Sequence, residues 1–390
     1  MRKRTALQLS VAALCAALVS GCNTEWGVGF DPGPGTGNEK FPTLDGSKPK
    51  VFSQPSLSNF PANSLESLTE AINQNADFLA IDLVMSKDGV LVALGSPDIT
   101  DLTDVKDIRS YGPRKATRLI DGVAKTGWFA ADFTLAELQT LRLKTPKGDY
   151  ASNSAGIQSF SQILNHIQRQ NRSVGLYLQT RHPTFHTQLK LGMEDKLVSA
   201  LQQAGYNKAS DPVLIRSFEV THLQALRKKT KLRLVQMIDA SGVSPSGIVQ
   251  NDVPHDRPYD FTASGTATTY KDMVTAEGLA QIKTYADGIS PAKAYIVASK
   301  NLDKDNDGKL DDLNGDGTLD ERDRVLTSNT ALVTDAHANN LFVHPWVFSS
   351  DPSQLANDYN GSAVNEYRNF YKLGVDGVFS SAPNDAVKAR

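Results

Sequence analysis

Oxygen-bearing side chains at alternating positions are the most explicit chemistry in this 390-residue chain. Between Leu302 and Arg324 it reads LDKDNDGKLDDLNGDGTLDERDR. Asp303, Asp305 and Asp307 precede Gly308, and Asp312, Asn314 and Asp316 precede Gly317 in the same pattern. In a calcium loop such oxygens curl around the ion, the glycine permits the sharp turn, and an acid at the twelfth position closes the shell. Asp323 fills that position for the second loop, and Asn314, a weaker closer, for the first. Ca²⁺ is the expected cofactor, at about 10⁻⁴–10⁻³ M as in extracellular modules. The alternative is a solvated acidic loop.

A second candidate is one acid in apolar company. FLAIDLVMSKDGVLVALGS (Phe78–Ser96) reads as two apolar strands around a turn at Ser86–Gly89, with Asp82 on the face of Ala80 and Val84. Burying a lone carboxylate there is costly without a partner, and Ser53, Gln54 and Arg181 are the candidates. Gln179 and Arg181 end another apolar run; His182 and His186 follow on a loop, either as acid–base groups or as solvated side chains. His344, in VHPW, is expected to line a pocket or to be a hydrogen-bonded core residue. Phe218 and Trp346 are expected as pocket walls or as core.

The elements that would position these groups alternate. Strands are expected at Val51–Ser53, Phe78–Val84, Val90–Leu94, Val174–Gln179, Val213–Phe218, Arg233–Ile238, Gly288–Ser290, Leu341–Trp346 and Gly377–Phe379. Helix starts are marked by Asn63…Glu66, Thr134…Glu137 and Ser159…Gln162, a capping side chain with Glu or Gln three residues on. Repeated strand–helix units imply parallel strands with helices outside. About eight barrel strands plus one hairpin strand fit an α/β fold, a closed (β/α)₈ TIM barrel over 51–390 with an extra hairpin. Its chemistry is then expected at the C-terminal rim, where the insert at 302–324 would also lie. In a hairpin centred on Lys87 and Asp88, Ala80 would face Gly95.

The N-terminus reads as an address. Arg2, Lys3 and Arg4 precede an apolar stretch from Leu7 to Val19, as in a secretory signal. Val19-Ser20-Gly21-Cys22 resembles a bacterial lipobox, implying a signal peptide over 1–21 and lipid on Cys22. Asn23 follows rather than an aspartate, which favours the outer membrane. Residues 22–50 are rich in Gly and Pro and read as a tether of about 30 Å root-mean-square span. With 41 basic and 43 acidic residues, nothing points to nucleic acid.

In order and spacing, FPANSLESLTEAINQNADFLAIDLVMSKDGVLVAL, ADFTLAELQTLR, VGLYLQTRHPTFH, YADGISP, LFVHPWVFSSD and LGVDGVFSSAPNDAV resemble blocks of the glycerophosphodiester phosphodiesterase family, its periplasmic type in particular. The resemblance covers about Val51 to Val387. It implies a His-Arg pair for acid–base catalysis and phosphate binding, a Glu-x-Asp and a later Glu holding a divalent metal, and a second histidine closing the hairpin. These map onto Ser53 and Gln54, Ala80 and Asp82, Gln179, and Gly95. Asp82 alone keeps its type, and a phosphate-binding lysine maps onto Arg181. One carboxylate and one amide lack much of a hard cation's ligand set. Loss of a general acid or base costs about 10²–10⁴-fold, and loss of the metal removes several kcal/mol more of charge stabilisation.

The expectation is a lipid-anchored, phosphodiesterase-like module of the bacterial envelope without the family's catalysis. It would bind a small phosphorylated ligand or a protein partner through Asp82, Gln179, Arg181, Phe218, His344 and Trp346. One alternative is an active phosphodiesterase with a rearranged centre using His182, His186 or a cation near Asp82. Another is a calcium-stabilised structural envelope protein.

Overall fold

A computed structural model describes residues 40–390 apart from 56, 58, 152–155, 254 and 347. The signal stretch, Cys22 and the tether up to Glu39 lie outside the described residues. Among the described residues no helix is long and apolar enough to cross a membrane.

Eight strands run parallel: β1 (Lys50–Ser53), β2 (Phe78–Met85), β3 (Gly175–Thr180), β4 (Val213–Ser217), β5 (Arg233–Ile238), β6 (Gly288–Pro291), β7 (Phe342–Val343) and β8 (Gly377–Ser380). From β1 to β7 each pairs with the next in chain order, and β8 pairs with β1. The ring is nearly closed. Between β7 and β8, the Asp376 N–H donates to the Val343 carbonyl (2.9 Å) and the Val343 N–H donates to Asp376 Oδ2 (2.7 Å). The α/β TIM-barrel expectation therefore holds. It is legible in β2, whose eight residues are all buried, because a parallel barrel strand is covered on both faces.

Inside the ring, Phe52, Phe78, Tyr177, Leu214, Val235 and Phe379 pack with Ala80 into a plug. The space for Phe78 comes from Gly175 on the next strand, where a Cβ would lie 2.3 Å from the Phe78 ring. The outer face is dressed by helices such as Leu65–Asn73, Phe160–Gln168, Val220–Arg227 and Ala363–Lys372. The capping boxes at Thr134 and Ser159 form with Glu137 and Gln162. The first helix starts one residue later than Asn63: Ser64 accepts from Ser67 N (3.1 Å). Asn63 takes the left-handed conformation (φ 62°), which asparagine tolerates, and its Oδ1 accepts from Asp82 N at 2.8 Å.

The hairpin strand Leu91–Ala93 pairs antiparallel with β2 as expected, but one register away. Ser86 N–H donates to the Val90 carbonyl (2.9 Å) across a three-residue loop, Lys87–Gly89, with Gly89 at φ 73°. A loop of that length ends in a left-handed glycine and shifts the pairing relative to a two-residue turn. Leu94 rather than Ala93 then meets Asp82, its N–H donating to the Asp82 carbonyl (3.1 Å). Gly95 faces the Asp82 side chain, not Ala80: a Cβ there would lie 3.5 Å from Asp82 Oδ2.

The acidic insert follows β6 and precedes the helix Leu332–Ala338, on the C-terminal rim as expected. It springs from an antiparallel ribbon, Ser299–Asn301 against Arg324–Leu326. Two further rim excursions were not foreseen: a hairpin (Ala116–Ile120, Val123–Gly127) and a segment after β5 that includes the helix Tyr259–Ser264.

Candidate functional site

Three of the positions to which the resemblance assigns catalysis or metal binding make backbone hydrogen bonds or pack in the plug. Ser53 is buried, and its Oγ accepts from Ala80 N (3.1 Å). Gln54 Nε2 donates to the Phe348 carbonyl (2.8 Å). Ala80 belongs to the barrel plug. Asp82 is 8 % exposed, and its Oδ1 is buried without a hydrogen-bond partner. The expected pairing of Asp82 with Ser53, Gln54 or Arg181 is not made. Ser53 and Gln54 spend their polar atoms on backbone, and no ion pair joins Asp82 to Arg181.

The charge that Asp82 meets comes from Arg216 on β4. Arg216 is 5 % exposed; its guanidinium lies 4.2 Å from the Phe379 ring centroid and 5.2 Å from that of Tyr177. Burial lowers its pKa, and the attraction of Asp82 opposes that shift. Its Nε, like that of Arg181, is buried without a partner. Arg216 was missed although its sequence signal has the same form as that of Asp82: one charge inside an apolar strand, VLIRSF.

The divalent metal implied by the resemblance does not fit this mouth. Of the positions that the resemblance assigns to the metal, Asp82 alone keeps a carboxylate, and the Arg216 guanidinium already acts on it. Among the described residues, the one group of three or more acids, histidines or cysteines with ligand atoms within 4.8 Å of one another is Asp303, Asp305 and Asp307, in the insert. There, Asp307 N and Gly308 N both donate to Asp303 (3.1 Å each). In the second loop, Asp312 accepts from Gly315 N and Gly317 N (2.7 Å each), and Asn314 from Asp316 N (2.9 Å). Asp316 pairs with Arg322 (2.6 Å), while buried Asp323 accepts from Leu313 N (2.8 Å) and Asp320 N (2.9 Å). Asp311 and Asp320, at the ninth positions of the two loops, were overlooked although the spacing names them.

The two loop histidines part company. His186 is fully buried with neither ring nitrogen partnered, and burial pushes its pKa down to about 3. His182 sits at the rim in the left-handed region (φ 49°), its Nδ1 2.8 Å from Asp121 Oδ2. Asp121, at the tip of the unforeseen hairpin, is also left-handed (φ 48°). Both line a cavity of 180 Å³ that includes Gln179, Arg181, Phe218 and Glu219. Burial pushes the Glu219 carboxyl up to about 8 although Thr184 N and Oγ both donate to it. His344 is a core residue rather than a pocket wall. It is 5 % exposed, shares a hydrogen bond with the Tyr177 hydroxyl (3.1 Å) and stacks on Phe342 (4.4 Å). Trp346 packs on Phe218 (5.8 Å) and donates to the Ile238 carbonyl.

Residues 56–385 match the model of the glycerophosphoryl diester phosphodiesterase family. The chain belongs to that family. It is 30 % identical over 336 residues to the Arabidopsis thaliana glycerophosphodiester phosphodiesterase GDPD6, covering 82 % of this chain and 80 % of that one. It is 24 % identical to a glycerophosphodiester phosphodiesterase of Haemophilus influenzae, with 97 % of each chain covered. Among solved structures, a glycerophosphoryl diester phosphodiesterase from Silicibacter pomeroyi superposes with a TM-score of 0.55 at 16 % identity, covering 90 % of this chain and 97 % of that one. An Oleispira antarctica phosphodiesterase in complex with sn-glycerol-3-phosphate gives 0.51 at 16 % identity, covering 87 % and 96 %. At that identity the structures establish the shared barrel. The family membership, set beside Ser53, Gln54, Ala80, Gly95 and Gln179, makes this a family barrel with an altered mouth.

The buried imidazole generates a pH dependence. The unfolded chain protonates His186 below about pH 6.5, the folded chain only near 3. Protons therefore favour the unfolded state in that window, and stability falls as the pH drops through it. Relative to His186→Leu, the native protein is expected to lose up to about 1.4 kcal/mol per pH unit between pH 6.5 and 4. Urea unfolding across this range measures it; a constant difference between the two proteins would contradict neutral burial.

Proposed function

We propose that this family member binds a phosphate ester at the barrel mouth without the family's metal-dependent hydrolysis. The observation that carries this reading is the pair of guanidinium groups, Arg181 and Arg216, each with a buried Nε–H that has no partner, with Asp82 acting on Arg216 and Asp239 on Arg181. Guanidinium groups remain charged when buried and present forked donors that match phosphate oxygens. The Oleispira relative's complex with sn-glycerol-3-phosphate supports the ligand class. Hydrolysis in the family's manner lacks its metal ligands and its histidines at Ser53 and Gly95.

A second reading is favoured by one contact. Asp121 orients His182 in the cavity that also holds Arg181, an arrangement suited to a general base at a rearranged centre. One experiment separates the two. Under the first, glycerol 3-phosphate binds in the presence of EDTA, and Arg181→Met and Arg216→Met each weaken it about tenfold or more. Bis-p-nitrophenyl phosphate then stays uncleaved with Ca²⁺, Mg²⁺ or Zn²⁺. Turnover that disappears in His182→Gln would instead establish the rearranged centre.

Two further properties complete the proposal. Ca²⁺ held by Asp303, Asp305, Asp307, Asp312, Asn314, Asp316 and Asp323 stiffens the insert against the rim; the gathering of the first three carboxylates supports this. Limited proteolysis between Leu302 and Arg324 is expected to slow with millimolar Ca²⁺ and to be unaffected by it in Asp303→Asn/Asp312→Asn. Lipid on Cys22 holds the protein at the bacterial envelope, on the support of the lipobox-like Val19–Cys22. Palmitate labelling of the native chain, lost in Cys22→Ala, checks it.

A further inference from the structure

A second cavity, of 390 Å³, opens on the same rim and shares no lining residue with the one beside Arg181. It lies among the segments that follow β5, β6 and β7, the helix Ala363–Lys372 and the root of the acidic insert. Its volume falls within the range of small-molecule sites, about 300–1,000 Å³. The room exists because small side chains, among them Ala240, Ala292, Ala298 and Ala356, stand where larger ones would fill it; Phe348 and Phe370 supply the flatter walls.

The polar groups of this cavity are arranged in pairs. Lys293 Nζ donates to Glu366 Oε1 (2.5 Å) and lies over the Phe348 ring (5.4 Å). Arg324 and Glu321 form a second pair (3.6 Å), and Ser299 Oγ donates to Glu321. Each cation is matched by an acid, so a charged ligand of either sign would enter uncompensated. One acceptor is left over. Glu366 is 2 % exposed, and its Oε2 is buried with no hydrogen-bond partner. A buried acceptor without a donor keeps its desolvation cost unrelieved, and here it stands in the wall of an apolar chamber.

We propose that this cavity is a binding site for a neutral, mainly aliphatic molecule bearing one hydroxyl, which donates to Glu366 Oε2. Burial raises the Glu366 pKa, and Lys293 beside it opposes that shift, in keeping with a carboxylate that accepts from both sides. The site is independent of phosphate-ester binding at the mouth and uses none of its residues.

The test uses the purified native protein and calorimetric titration with 1-hexanol, 1-octanol and 1-decanol, with 1-methoxyoctane as the probe that lacks the donor. Affinity is expected to rise about fourfold per added methylene, and 1-methoxyoctane to bind at least tenfold more weakly than 1-octanol. Ala298→Leu and, separately, Ala356→Leu should abolish 1-octanol binding while far-ultraviolet circular dichroism remains unchanged. The proposal is overturned by no binding of any alcohol at millimolar concentration, which would leave the space to water. It is equally overturned by equal binding of the ether, or by full binding in both alanine variants.

Discussion

A guanidinium held in the throat of the barrel sets a charge that its surroundings must balance. Arg216 rests on Phe379 and Tyr177, whose π faces attract it, an interaction worth about 2 kcal/mol or more where water is excluded. Because that group does not lose its proton, its charge must be balanced by what surrounds it. Asp82 gives one part of the balance. A divalent ion next to the same carboxylate would add repulsion where the fold has already placed a cation. The aromatic plug and the altered mouth are thus one feature: the rings that fill the barrel are also the floor on which the charge sits.

The rim above follows a related logic. Some titratable groups there are paired, as His182 with Asp121 and Lys293 with Glu366, and others are pushed by burial toward their neutral form, as Glu219 and His186. Two atoms that are neither paired nor exposed, Arg181 Nε and Glu366 Oε2, belong to residues that line the two rim cavities. The left-handed backbone at Asp121 and His182 stores strain at the same rim, where non-glycine residues hold such angles only when their surroundings enforce them.

Much of the barrel could be read from the chain because its strands are short apolar runs between recognisable helix caps. Thr134 with Glu137 and Ser159 with Gln162 are local signals, decided within four residues. Less local features were harder. The pairing of β2 with the hairpin turned on whether the loop held two or three residues, and Gly89 alone does not distinguish them. Asn63 and Ser64 are both good caps; the choice between them depends on Asp82 N, nineteen residues away in the chain. Asp82 stood out as a buried charge, but its counter-charge lies on a strand two places along the ring, which no spacing in the sequence encodes. Asp121 was invisible because the hairpin that carries it lies outside the strand–helix alternation.

The seam between β7 and β8 sets the mechanical character of the ring. Every other junction is a registered strand pairing, though that of β1 with β2 has one residue pair, whereas this one rests on the main chain and carboxylate of Asp376, which also engages Leu44 N and His337 Nε2. The helix Ala363–Lys372 spans that seam in the chain and carries Glu366. A seam carried by one residue ties the last edge of the ring to whatever holds Asp376, and the helix behind that seam lines the chamber beside Glu366.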